Sequence, residues 1–173
     1  MKHFEVPLTD SGIERLIKET EKYEAWLKSR TETLLRRLAD EGMNVASMKF
    51  MGAVYDGVND VSVTVTKQNE RAWAVIATGN ATLFIEFGSG VTYPDDHPEA
   101  GKLGMKRGQY GKGLGKRHTW EYYGEPGVNG VQKRSRSGRM VVKTHGNPAN
   151  MSMYETVKEL EERLRSIARE VFV

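Results

Sequence analysis

From Asp10 to Gly42 the apolar residues Ile13, Leu16, Ile17, Tyr23, Trp26, Leu27, Leu34, Leu35 and Leu38 recur at three-and-four spacing with charges between them. That period puts them on one face of a helix. Ser11 with Glu14 reads as a capping box, and Gly42 as the left-handed residue that ends the helix. A helix of that length overruns a compact domain of this size. Either part of it lies against another chain, or it kinks near Ser29–Thr31 and packs wholly on its own domain.

The pattern then changes period. "DVSVTVT" (60–66) alternates, "AWAVIA" (72–77) is almost continuously apolar, and "KQNER" between them supplies a turn. Together they predict an antiparallel hairpin with Val61, Val63 and Val65 on one face. Asn80 then caps a short helix over "ATLFIEF", closed by Gly88, with a third strand as the alternative. Further on, "RMVVKT" (139–144) predicts another strand, and Pro148 breaks the chain after it. Tyr154, Val157, Leu160, Leu164, Ile167, Ala168 and Val171 predict a closing helix on the same small sheet as the first.

The expected fold is therefore α+β: a long N-terminal helix and a C-terminal helix on a small, mainly antiparallel sheet, with a long basic Gly-rich loop. One domain covers 1–173, divided into a long helix (10–42), a hairpin and turn (58–88), a flexible basic loop (99–138), and a strand with the C-terminal helix (139–173).

Charge adds what periodicity misses. The chain carries 26 Lys and Arg against 23 Asp and Glu, a net charge of +3. Between 101 and 145, eleven basic residues face only Glu121 and Glu125, so this segment is at +9 and the rest at −6. The stretch 101–138 also holds ten of the 18 glycines. It predicts an extended basic loop around the aromatic island "WEYY" (120–123), mobile in the isolated protein and ordered on assembly. Lys106, Arg107, Lys112, Lys116, Arg117, Lys133, Arg134 and Arg136 are the candidate contacts to DNA or an acidic partner. With Tyr110, Trp120, Tyr122 and Tyr123 among them, they combine phosphate neutralisation with base stacking. Binding of that kind is sequence-independent and salt-sensitive.

Candidate catalytic chemistry is thin. The absence of cysteine removes disulfides, thiolate nucleophiles and sulfur-ligated zinc. Asp95, Asp96, His97 and Glu99 bring metal-type ligands together, but Pro94 and Pro98 bracket them as a polar turn. "GMKRGQYGKGLGKR" lacks the spacing of a phosphate loop. His118, Asn129 and His145 lack the hairpin-plus-helix of a His-Asn-His nuclease. The expectation is no enzyme, no catalytic or metal residues and no cofactor. No membrane span or signal peptide is expected, nor a small-molecule substrate.

"ATLFIEFGSGVTYPDDHP" (81–98) and "GNPANMSMYET" (146–156), ahead of a closing helix, resemble a family of small bacteriophage proteins. These are the minor tail components, or neck proteins, named after gene product ten of a lambda-like coliphage and common in prophages of Gram-positive bacteria. The likeness spans roughly residues 10–171. It implies an α+β virion protein at the head–tail joint, acting as copies in a ring such as a hexamer and without catalytic residues. Its partners would be itself and neighbouring connector or tail proteins, with non-specific contact to DNA in the channel. It would be made in the host cytoplasm and reside in the virion. The family pattern maps onto Glu86, Phe87, Gly88 and Gly90 at the turn, and onto Pro148 and Ala149 before the last helix. Glu86 would accept from loop amides or a basic neighbour, the glycines would permit a pivot, and Pro148 would pre-set the start of the helix. The stretch 83–102 thus reads as the hinge from core to loop. The alternative is a sequence-independent nucleic-acid-binding protein using the basic loop.

Overall fold

The computed structural model describes residues 5–93, 96–106, 108–111, 113–114 and 116–173. In chain order they form α1 (Asp10–Met51), β1 (Ser62–Asn69), β2 (Ala72–Thr78), α2 (Thr82–Glu86), α3 (Ala100–Leu103), β3 (Trp120–Tyr122), β4 (Val131–Arg134), β5 (Met140–Thr144) and α4 (Ser152–Val171). The fold is α+β. Its strands make two antiparallel sheets, the hairpin β1–β2 and a three-stranded sheet in the order β3-β5-β4.

α1 is unbroken over 42 residues, about 63 Å at 1.5 Å per residue, with no kink at Ser29–Thr31. Both expected ends move. Thr9, held in extended backbone, caps the helix by accepting from the Gly12 amide at 3.2 Å, and Ser11 already lies inside it. Gly42 does not end it either. A Cβ there would stand 3.0 Å from Leu160 Cδ1 and 3.2 Å from Val75 Cγ2, so this glycine lets α4 and β2 close onto α1. The helix stops at Gly52, whose amide bonds to the Met48 and Phe50 carbonyls.

The hairpin pairs Val63 with Ala77 and Val65 with Val75. Val61, Val63 and Val65 are half-buried while the residues between them are exposed, as the alternation requires. The core beneath is small: Ala46 and Phe50 of α1, with Ala81 just before α2 and Ile85 within it, are buried against Val61, Val63, Tyr55 and Met153. α4 runs antiparallel along α1, through Lys49–Glu159, Arg37–Glu170 and an edge-on contact of Phe172 with Trp26. It packs on α1 and α2, and Val157 and Leu164 of its predicted stripe stay exposed.

α2 forms over the expected stretch, but Asn80 does not cap it. Asp60, from across the hairpin, ties down the turn that leads into it: its carboxylate accepts from the Asn80 amide (2.9 Å), the Ala81 amide (2.9 Å) and Asn80 Nδ2 (2.9 Å). The bonds from Ala81 and then Asn80 hold the Asp60 carboxyl below the usual carboxylate range. A carboxyl depressed in the folded state binds fewer protons folded than unfolded between its two values, so stability falls as pH falls through that window. The contribution is whole above the free-aspartate range near pH ~3.9 and gone below the depressed folded value. The expected result is a melting-temperature gap between wild type and Asp60→Ala that is constant near neutrality and closes in acid. An unchanging gap would refute that tie.

The segment 99–138, expected as one loop, contains α3, β3 and β4. β5 is the strand both edges need: Trp120 pairs with Thr144 and Tyr122 with Val142 on one side, Gln132 with Val142 and Arg134 with Met140 on the other. Strands of three and four residues are too short to show a period against so many glycines.

Candidate functional site

The two stretches that carry the resemblance, some sixty residues apart in sequence, meet in space. Ser89 and Asn147 form an antiparallel bridge, with Ser89 N donating to Asn147 O at 2.8 Å and Asn147 N to Ser89 O at 3.2 Å. The Asn147 amide group also donates to Ser89 Oγ at 3.1 Å. Gly88 (φ +79°) and Gly90 (φ +81°) flank the bridge in left-handed backbone. A Cβ on Gly88 would come within 2.8 Å of Ala149 N, and one on Gly90 within 2.6 Å of His145 O. Both residues must therefore be glycine for the two chains to touch. This region is a clasp that pins backbone to backbone, not a hinge.

Glu86 closes the clasp on α4. Helix α4 starts from Met151, in left-handed backbone and without a side-chain cap of its own. The buried Glu86 carboxylate takes that role: Oε2 accepts from Met153 N at 2.8 Å and Oε1 from Tyr154 N at 3.0 Å, with negative charge set against the positive end of the helix dipole. His97 Nδ1 accepts from the Glu99 amide at 3.2 Å, which leaves the proton on Nε2 to donate to Glu86 Oε1 at 3.2 Å. Phe87 stacks obliquely on His97 with ring centroids 4.4 Å apart. So Glu86 accepts from helix amides and a neutral histidine rather than from loop amides. Pro148 and Ala149 lie beside the clasp, and α4 begins at Ser152, three residues beyond them. Asn150 ties that connection down by donating its backbone N–H to Ile85 O and its side chain to Lys49 O.

A second buried acid, Asp56, was not visible in the sequence. Its backbone N–H donates to Asn147 Oδ1 at 2.7 Å, while its carboxylate accepts from the Asn129 amide and from the Thr144 hydroxyl. Thr144 Oγ1 in turn accepts from Gly146 N at 3.0 Å. The loop after α1, the turn before β4, the end of β5 and the clasp therefore share one polar network. The only sequence signal was "YDG", which reads as a turn.

Beside the network lies a cleft of about 850 Å³, walled by Phe84, Phe87, Tyr93, Tyr110, Trp120 and Tyr122. Tyr110 anchors the glycine-rich arm by donating its hydroxyl to Gly88 O and packing on Phe84. Burial first, and then the Asp60 and Asp56 carboxylates, push the Tyr55 phenol up; burial and Asp56 do the same to Tyr122. Both phenols, which line the cleft, stay protonated at neutral pH.

The candidate basic contacts fall in two places. Lys116 and Arg117 are exposed and line the cleft, and Lys106 is exposed nearby in sequence. Lys133 and Arg134 sit on β4, the edge opposite β3, with Arg136 in the following turn, and Lys133 is paired with Glu121. Arg107 and Lys112 lie outside the described residues, as does Asp95. Asp96 is exposed, so the 95–99 cluster is not gathered into a ligand set. No group of three or more metal-ligating side chains occurs among the described residues. Asn129 and His145 meet only through the Tyr93 hydroxyl, at 3.5 and 3.2 Å, while His118 is exposed. No helix among the described residues is long and apolar enough to cross a membrane. No protein-family model, curated protein or solved structure matches the chain.

Proposed function

We propose that this is a structural protein of a phage or prophage virion, a neck or tail-completion component at the head–tail joint. It works as copies in an oligomeric ring, against neighbouring connector or tail proteins and without catalysis. The observation that carries the reading is the overhang of α1. Phe172, beyond the end of α4, meets Trp26, and residues 10–22 run about 20 Å further, with Ile13 and Ile17 about half exposed among the described residues. A monomer gains nothing from a bare apolar helix end, whereas an assembly does. The family-like motifs support the same reading, because the bonds they make build a rigid clasp and a capped helix rather than a reactive centre.

A second reading, sequence-independent nucleic-acid binding, is favoured by Lys116 and Arg117 beside Trp120 and Tyr122 in the cleft. One experiment separates the two: electron microscopy of particles made by the parent phage with the gene deleted and then restored. Heads accumulating beside unattached tails are expected. Normal infectious particles, together with a DNA affinity that falls steeply with salt and is lost in Lys116→Ala/Arg117→Ala, would install the second reading instead.

A further inference from the structure

Resting on the ring reading, the structure assigns the two surfaces by which copies of this chain join: the N-terminal overhang of α1 in one copy and the Met48/Met51 end of α1 in the next, head to tail. The apolar stripe that begins with Ile13, Leu16 and Ile17 continues along the same face to Val45, where α4 and the hairpin cover it. Among the described residues its first turns have no such cover: Ile13 is 47% and Ile17 52% exposed, and Leu8 just ahead is almost fully exposed. At the opposite end of the helix a second patch stands open. Met48 (66% exposed) and Met51 (82%) lie one turn apart on the outer face, followed by exposed Val54 and Val58.

The two patches are about 50 Å apart along one rigid helix, so no single copy can bring them together. Pairing two overhangs isologously would leave both methionine patches bare. A heterologous contact covers one of each at every joint and closes into a ring when the rotation allows. Each end exposes on the order of 400 Å² of apolar side chain, and the two approach the roughly 1,000 Å² that a specific interface clears. Methionine suits the receiving side, because its unbranched side chain adapts to the isoleucines it must accept.

The chain contains no cysteine, so introduced thiols report contacts without background. Full-length Ile17→Cys and Met48→Cys variants are mixed at high concentration with a short bis-maleimide linker. The expected result is a cross-linked heterodimer formed at least tenfold faster than either homodimer. Predominant Ile17→Cys homodimer, or no cross-linking in any combination, would overturn the assignment. Charge substitution gives the complementary readout. Ile13→Glu/Ile17→Glu and Met48→Glu/Met51→Glu retain helical circular dichroism, because glutamate is a good helix former and all four positions are exposed. If the contact is head to tail, each is monomeric alone and an equimolar mixture forms dimers and nothing larger, each variant lending its intact end. A mixture that stays monomeric where wild type associates would also overturn it. The joint reading is scored separately. Separated heads and tails on deletion with no cross-link leave that reading standing and this pairing refuted, and cross-links with normal particles do the reverse.

Discussion

Replacing Glu86 with alanine is expected to lower the free energy of unfolding by about 3–5 kcal/mol, a loss of roughly 10 °C in melting temperature for a chain of this size. The magnitude follows from what the substitution strands. Met153 N–H, Tyr154 N–H and His97 Nε2–H all donate to this one buried carboxylate, and its removal leaves all three without that acceptor. Glutamine should be nearly as damaging. Its carbonyl can serve Tyr154 and His97, but its NH2 then faces the Met153 amide, and a backbone N–H cannot become an acceptor. Denaturant melts of Glu86→Ala and Glu86→Gln, with amide hydrogen exchange resolved at Met153 and Tyr154, make the test. Wild-type stability in Glu86→Gln, or first-turn protection unchanged in both, would mean that the carboxylate is not the cap of α4.

How much of this was legible beforehand depends on whether a residue's role is set by its neighbours in sequence. The valine alternation in β1 is a local signal, and it placed the right residues inward. Gly42 misled because a glycine late in an apolar period reads as a stop, while the reason for it sits on α4 and β2, at Leu160 and Val75. The cap candidates failed because the groups that hold the helix starts lie elsewhere. Asn80 and Ser11 with Glu14 are the local candidates, yet the turn into α2 is held by Asp60 and α4 is capped from Glu86. Only Thr9 caps its own helix, two residues earlier than the pattern placed the cap. Glu86 was singled out by the motif it belongs to, and the resemblance located the clasp without revealing its bonds. The 99–138 segment carries little periodicity because β3 and β4 are specified by their pairing to β5 rather than by their own composition.

Asp56 is the residue for which sequence offered least, and its removal carries the other large effect. Asp56→Ala is expected to cost about 3 kcal/mol, since it leaves the Asn129 amide and the Thr144 hydroxyl without their shared acceptor in a buried site. Here the amide substitution should behave unlike that at Glu86. An asparagine at 56 can keep its carbonyl on Asn129 N–H and offer NH2 to Thr144, whose hydroxyl can turn and accept. Asp56→Asn should therefore lose only about 1 kcal/mol. The contrast between the two acids is sharper than either value alone: two fixed backbone donors and a histidine N–H surround Glu86, whereas one of the donors on Asp56 is a rotor. Equilibrium unfolding of the four variants under one condition tests it. If Asp56→Asn proves as damaging as Asp56→Ala, the network needs the charge itself and the rotor argument fails. If Asp56→Ala is neutral, the tie between the loop after α1, the turn before β4 and the clasp contributes nothing to holding the sheet in place.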